Sequence, residues 1–429
     1  MIWRKGKTMN MKLLLPLLLV PAALPAAQPA VTLVSCEQDP VTRVVTVSYT
    51  VANAPAIVTA ELTTNGVRVA EGLVKSTIGD INVIVDDRAE AHSFRWLAEK
   101  DYPCKFAAAD KWGIELTAWS VNDPPDYMAV ALATSNTVHF YTSSNAVPGG
   151  VQDVLYKTEV LLMRKIPAAN SRFLMGSPKG EVGRNDAYSS SAREIQHWVV
   201  LTNDFYIGVY ELTQRQAKRI ASYPGYTVGK IDNLADAEIN PMESQTWTEV
   251  RDTTIVPKIR ARSGIVSFDL PTDAQWEFAC RAGTGTALNS GKDLGITSAQ
   301  IWGTDCPNLD EVAWWTGNAS VVIDPEAGTK AGQTHPVGLK PANAFGLYDM
   351  HGNVMEMCRD DVTANGDYSD GSEVVEPCAL TGSDSKIVRG GSFGDGVGGC
   401  RSATRSAVNV WDTNVKIGCR LMCLPYFGK

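Results

Sequence analysis

The sequence predicts an exported chain in two parts, an all-β module followed by a larger α+β domain. Three observations carry this. Short β-branched runs alternate with turn residues between residues 31 and 132. Beyond about residue 166, helix-start signatures recur, yet long helices are few and Gly, Asn and Asp turns are many. A basic, then apolar, then small-residue stretch opens the chain.

That opening stretch is taken first. Arg4, Lys5, Lys7 and Lys12 precede the apolar run 13–26, which ends in Leu24-Pro25-Ala26-Ala27. This is the layout of a secretory signal peptide, here 1–27, and starting at Met9 or Met11 gives it better proportions. A membrane-spanning helix needs roughly 20 apolar residues, and Pro16 and Pro21 interrupt this run, so no transmembrane segment is expected. The expected location is periplasmic or extracellular. Leu33-Val34-Ser35-Cys36 also resembles a bacterial lipobox, which would lipidate Cys36. Gln28 and Pro29 separate it from the apolar core, and 31–34 reads equally well as a first strand.

With 429 residues, 44% of them hydrophobic and 20% charged, the chain can bury a sizeable core. A net charge of -8 without any basic run argues against nucleic acid or an anionic membrane surface as partner. Nine cysteines in an exported chain suggest disulfides, and the odd count leaves one thiol over or a pairing outside the chain.

The β module is expected over 28–140. Its strands are 41–51, 57–63, 66–74, 81–85 and 112–119, spaced as in an all-β sandwich. Cys36 and Cys104 are its only cysteines, which makes them a candidate disulfide. Nothing in the module is chemical in character, so it reads as a spacer or docking unit. Turn-rich composition at 121–125 and 143–150 marks a boundary within 132–150, with a linker and first strand over 141–165.

The second domain, 166–429, carries the motifs. Thr213 with Gln216, Thr246 with Glu249 and Thr272 with Gln275 each fit a capping box and start a helix. Trp276, Ala279 and Cys280 share one helical face. Asn343-Ala344-Phe345-Gly346-Leu347-Tyr348-Asp349-Met350-His351-Gly352-Asn353-Val354-Met355-Glu356-Met357 follows, and then 387–420, where "RGGSF", "CRSATR" and "IGCR" place Arg389, Arg401, Arg405 and Arg420 at the edges of apolar segments. In family order across about 170–422, these motifs resemble the formylglycine-generating enzyme, or sulfatase-modifying factor, family. The resemblance implies a C-type-lectin-like α+β fold. The β module has a fainter likeness to the fibronectin-III-like domains (an Ig-like sandwich) that precede such domains in some exported bacterial proteins.

The resemblance also implies sites. The family's calcium loop maps onto the side chains of Asp349 and Glu356 and the carbonyls of Gly352 and Val354, and oxygen ligands on a bent loop suit a hard cation. A second family calcium site would begin near Asn318, but no matching acid and aromatic follow it. Family oxidases hold copper(I) between two thiolates, the first two residues after the aromatic of the glycine run and the second five later. Those positions here are Asp395 and Cys400. A carboxylate is too hard to replace a thiolate on copper(I), so the oxidase chemistry is in doubt and copper enters only if that reading holds. Cys400 is the candidate catalytic residue, with Cys358 as a thiol that could join it in a metal site or a disulfide. Cys280 matches a family disulfide cysteine whose partner should sit near Cys419 or Cys423; Cys306 and Cys378 have no assignment. Five scattered histidines form no metal motif. The G-x-G-x-x-G run at 394–399 has no βαβ unit around it and reads as a flexible cleft wall.

Two functions follow as expectations. One is a non-oxidase relative binding a peptide or glycan in the family's cleft, lined by Arg401, Arg405 and Asp395. The other is a formylglycine-generating oxidase acting on a cysteine of exported sulfatases.

Overall fold

The structure, a computed structural model, describes residues 27–425 and 427, apart from 89, 104–110, 133–136, 185–193, 222–237, 325–328 and 363–371. The signal-peptide stretch 1–26 and Cys104 lie outside the described residues.

Two antiparallel sheets form the N-terminal region. One runs Ala30–Gln38, Val45–Ala52, His92–Trp96, Thr77–Gly79; the other is built on Ala56–Thr64, which pairs with Trp112–Ser120 along its whole length and with the short Val67–Arg68 and Ile84–Val85. Period-two alternation explains the shared core: Val45, Val47 and Tyr49 point inward from one sheet and meet Val58, Ala60 and Leu62 from the other. The strand expected to begin at 41 begins at 45, because Asp39 Oδ1 accepts from the amides of Val41 and Thr42 and closes a turn in which Arg43 has positive φ.

The next strands depart from expectation. Tyr127–Ala131, inside the stretch assigned to the β module, and Val138–Tyr141, at its end, join Val160–Ile166, Phe205–Gly208 and Met422–Cys423 in one five-stranded sheet. The reason is burial on both faces. Tyr127-Met128-Ala129-Val130 and Leu161-Leu162-Met163 are continuous buried runs, which suit strands covered on either side. Strand pairing therefore crosses the expected boundary.

Further sheets and helices build up the domain. Ser171–Met175 pairs with His197–Leu201, and Met355–Asp361 lies between Ser385–Arg389 and Ile417–Gly418, with Arg405–Asn409 at the edge. The helices Gln214–Ala221, Ile255–Ser263 and Asp273–Arg281 pack against these sheets. All three expected capping boxes form. At Thr272 the side chain accepts from the Gln275 amide at 3.1 Å and the Gln275 side chain accepts in return at 3.0 Å. Thr213 with Gln216 and Thr246 with Glu249 make the same reciprocal bonds. Each is worth about 1 kcal/mol. The last one opens a π-type turn, Glu249–Thr253, ahead of its helix. No helix among the described residues is long and apolar enough to cross a membrane.

Candidate functional site

Helix Asp273–Arg281 sets Asp273 and Glu277 one turn apart on a face turned to the arginines. Arg389, at the end of its strand, donates to Asp273, to Glu277 Oε2 at 2.8 Å, and to the carbonyls of Ser402 and Thr404. Arg405 reaches Asp273 Oδ2 at 2.7 Å and Arg281 reaches Glu277 at 2.8 Å. Arg401 donates to both Glu194 oxygens at 2.7 and 2.8 Å and to Glu181 at 2.6 Å. Arg420 grips Glu356 at 2.7 and 3.0 Å and also caps the carbonyls of Gly208 and Tyr348.

Arg389, Arg401 and Arg420 are at most 1% exposed and Arg405 is 9% exposed. The expectation that Arg401 and Arg405 line a cleft is therefore corrected. Each guanidinium is spent on a carboxylate fork inside the domain, where removing one partner would strand a buried charge. The neighbouring arginines hold Asp273 and Glu277 below the usual carboxylate range, overcoming the burial that acts the other way. Sequence reasoning missed these acids. For two of them the signal was present, since Asp273 and Glu277 stand four apart behind a capping threonine.

The residues assigned to calcium are placed close together but differently engaged. Glu356 takes the Arg420 fork and also accepts from Trp276 Nε1 at 2.7 Å. Val354 donates its amide to Glu211, and Gly352 donates its amide to the Gly390 carbonyl. Asp349 accepts from the Gly338 amide at 2.6 Å, and its other oxygen is buried with no hydrogen-bond partner. Calcium wants six to eight oxygens. Here a guanidinium already supplies the positive charge among Glu211, Asp349 and Glu356, and the described residues contain no group of three or more His, Cys, Asp or Glu able to hold a metal. Of the four expected ligands, the Glu356 carboxylate is thus already engaged by Arg420 and Trp276. Burial pushes Asp349 up to about 6 and Glu211 well above the ordinary range.

The glycine loop follows the same sheet. Gly390 and Gly391 have φ of 90° and 70°, and a Cβ on Gly391 would meet Cys400 Sγ at 2.7 Å, so glycine is required there. Ser392 Oγ donates to Asp395, whose amide returns a bond to the Ser392 carbonyl, fixing the half-buried carboxylate in the turn. Cys400 is fully buried with Val397, Leu294, Trp315 and Cys306, and burial pushes its thiol far up. Cys358 sits in a different core, beside Trp276 and Cys280, so the structure does not bring the expected pair Cys358 and Cys400 together. Cys306, left without a role, is the thiol that shares the Cys400 core. No second thiol stands at 395, and the site as arranged does not fit copper(I) held between the two expected positions.

The remaining cysteines are equally plain. Cys280 points to the Met350 carbonyl, His351 and Ser402, not to Cys419 or Cys423. His351 lies in the same place, accepting from the Asn289 amide and bonded to the Cys400 carbonyl, with burial holding it neutral near a pKa of about 4. Cys36 is half-buried on its strand, and all eight described cysteines are free thiols.

Beside the loop lies a groove of about 400 Å³ lined by Lys179, Glu181, Val182, Asp293 and Ile296 among others. Val182, Ile296 and Ile301 cover the Cys306–Cys400 core, and a Cβ on Gly398 would meet the Ile301 side chain at 3.4 Å. Trp302, next in sequence to Ile301, is 93% exposed.

A strand-rich α+β domain with buried arginine–carboxylate forks around a glycine turn defines the class. Residues 169–423 match the sulfatase-modifying factor enzyme 1-like domain, and the chain belongs to that family. Among its relatives, the "Chaperone protein LppX" of Paenibacillus barcinonensis is 29% identical over 208 residues, covering 40% of this chain and 68% of that protein. The formylglycine-generating enzyme of Mycobacterium tuberculosis is 38% identical over 91 residues, covering 20% of this chain and 25% of that protein. The mouse formylglycine-generating enzyme is 24% identical over 269 residues, covering 54% and 66%. Among solved structures, Treponema denticola variable protein 1 aligns with a TM-score of 0.47 at 20% identity, over 62% of this chain and 96% of that one.

Proposed function

We propose that this is an exported sulfatase-modifying-factor protein that does not oxidise, but binds a peptide or glycan in the groove beside its glycine loop. The N-terminal sheets would serve as an Ig-like spacer or docking module. One observation carries the reading: Asp395 stands where the first thiol should be, and Cys400 is sealed in an apolar core with its thiolate strongly disfavoured. Trp302, exposed and next in sequence to the Ile301 that packs on the Cys306–Cys400 core, is the aromatic side chain offered to a ligand on this side of the domain. A relative named as a chaperone favours a polypeptide as the ligand.

The test incubates the full chain, at high enzyme load with copper(I) and oxygen, with a cysteine-containing peptide from an exported sulfatase. Mass spectrometry reads conversion to formylglycine, and anisotropy of the labelled peptide reads binding. Binding that weakens in Trp302→Ala, with the cysteine intact, is expected. Conversion sinks the proposal and restores the oxidase. The oxidase reading draws support from the named relatives and from the shared Cys306–Cys400 core.

A further inference from the structure

A second groove, of about 460 Å³, opens where the segment 410–416 crosses the four-stranded sheet. Its floor is Met355, Ala407, Val408 and Ile417, and its rim is Asn409, Trp411, Asp412, Thr413 and Asn414. Ligand pockets span about 300–1,000 Å³, so the space suits one or two sugar rings. Trp411 is 66% exposed, whereas Val408 and Ile417 are buried in the domain core, so the indole is the main apolar surface the groove offers.

The crossing segment is held firmly. Asn409 Oδ1 accepts from the Trp411 amide at 3.1 Å, and Asn414 Oδ1 accepts from the Lys416 amide at 2.9 Å. The Val410 carbonyl takes the Thr248 amide and hydroxyl, and the Asn414 carbonyl takes the amides of Ser244 and Ile417. With their oxygens used internally, both asparagines present Nδ2 donors, next to the exposed Asp412 and Thr413. The rim is therefore set before any ligand arrives, which lowers the ordering cost of binding.

The chemistry of the lining selects the ligand. A hard cation would find one carboxylate, Asp412, too few for its shell. A phosphate or other polyanion would find no lysine or arginine in the lining. An apolar peptide anchor would face a rim of amide, hydroxyl and carboxylate groups. A neutral ring with one apolar face and a girdle of hydroxyls satisfies all of it: the face stacks on the indole, and the hydroxyls meet the amides and Asp412.

We infer that the groove under 410–416 is a carbohydrate-binding site, with Trp411 as its stacking platform. The inference stands on this groove and not on the reading of the glycine-loop groove. The probes are neutral oligosaccharides of β-linked glucose, xylose and N-acetylglucosamine and of α-linked glucose, titrated calorimetrically into the full chain. At least one is expected to bind. Trp411→Ala should weaken it at least about tenfold, about 1.4 kcal/mol, Trp411→Phe should recover part of the loss, and Asn414→Ala should weaken it less. Circular dichroism confirms that each variant is folded. Binding of none of the four sugars overturns the inference, as does binding unchanged by Trp411→Ala. Sugar binding lost in Trp302→Ala but kept in Trp411→Ala also overturns it, and places the glycan at the glycine-loop groove instead.

Discussion

The N-terminal sheets and the family domain are held in opposite ways. In the first, Val45, Val47, Tyr49, Phe94 and Trp96 meet Val58 and Leu62 in a core whose order can be read from alternation alone. A polar anchor there spans shorter stretches of chain: the half-buried Asp101 accepts from the amides of Lys75 and Ser76 and from Trp96 Nε1. The family domain adds to its apolar cores a set of arginine forks joining segments more than a hundred residues apart, as from Arg389 to Asp273 and Arg401 to Glu194. Hydrophobic contacts tolerate exchange of similar shapes, whereas a fork tolerates neither loss nor shift. The domain with irregular connections is thus pinned by directional bonds.

The largest expected effect tests this pinning. Arg389→Ala removes the guanidinium that Asp273 and Glu277 share, leaves each with a single arginine, and frees the carbonyls of Ser402 and Thr404; it should cost about 3–5 kcal/mol. The apolar counterpart, Leu62→Ala, should cost about 3 kcal/mol. Urea denaturation followed by far-ultraviolet circular dichroism measures both. A near-neutral Arg389→Ala would remove the contrast between the two regions.

Next comes the Glu356 fork. Glu356→Gln keeps the shape but removes the charge from Arg420, and should cost about 1.5–3 kcal/mol. Calcium and a chelator should leave the thermal midpoint of the native chain unchanged, because Arg420 and Trp276 already occupy Glu356. A rise of several degrees with calcium would hand Asp349 and Glu356 back to the ion.

Protons sharpen the comparison further. Burial, opposed by the Gly338 amide, Arg420 and Lys157 and aided by Glu356, raises Asp349 to about 6. A carboxyl raised in the folded state holds a proton that the unfolded chain has lost. Its stabilisation is therefore complete below about pH 4 and is lost as pH climbs through about 6. His351, lowered to about 4, acts with the opposite sign over an overlapping window. The diagnostic is therefore the difference between the wild-type and Asp349→Asn stability curves. The wild type should lose up to about 3 kcal/mol relative to Asp349→Asn between pH 4 and 7. A difference flat with pH would mean Asp349 is ionised throughout.

Much of this was legible in the chain, and what was not has a physical cause. The three capping boxes formed because each is a local pattern that needs no tertiary context. The family motifs fixed the order of the second domain. The pairing of Tyr127–Ala131 with Val160–Ile166 was hidden, since a doubly buried strand shows no alternation to tell which sheet will take it. Arg401 and Arg405 were misjudged because a charged side chain in a motif looks alike whether it meets a ligand or a distant acid. Glu194, the Arg401 partner, lies 207 positions away with nothing in its surroundings to mark it.

The cysteines supply the smallest effect and the plainest divide. Cys280, Cys306, Cys358, Cys400, Cys419 and Cys423 are buried, whereas Cys36 and Cys378 are half-buried. Because the thiolate is the nucleophile and burial disfavours it, alkylation of the native chain should label Cys36 first, label Cys378 more slowly because burial pushes its thiol up to about 12, and spare the six others. Peptide mass spectrometry before and after denaturation reads this with no change in stability. Labelling of Cys400 at native pH would show its core opening to solvent, and that would weaken the binding reading in favour of the oxidase. A Cys400 labelled after denaturation only when a reductant is added would instead reveal a disulfide, and its partner would then decide between Cys306, in the same core, and Cys358, in the other.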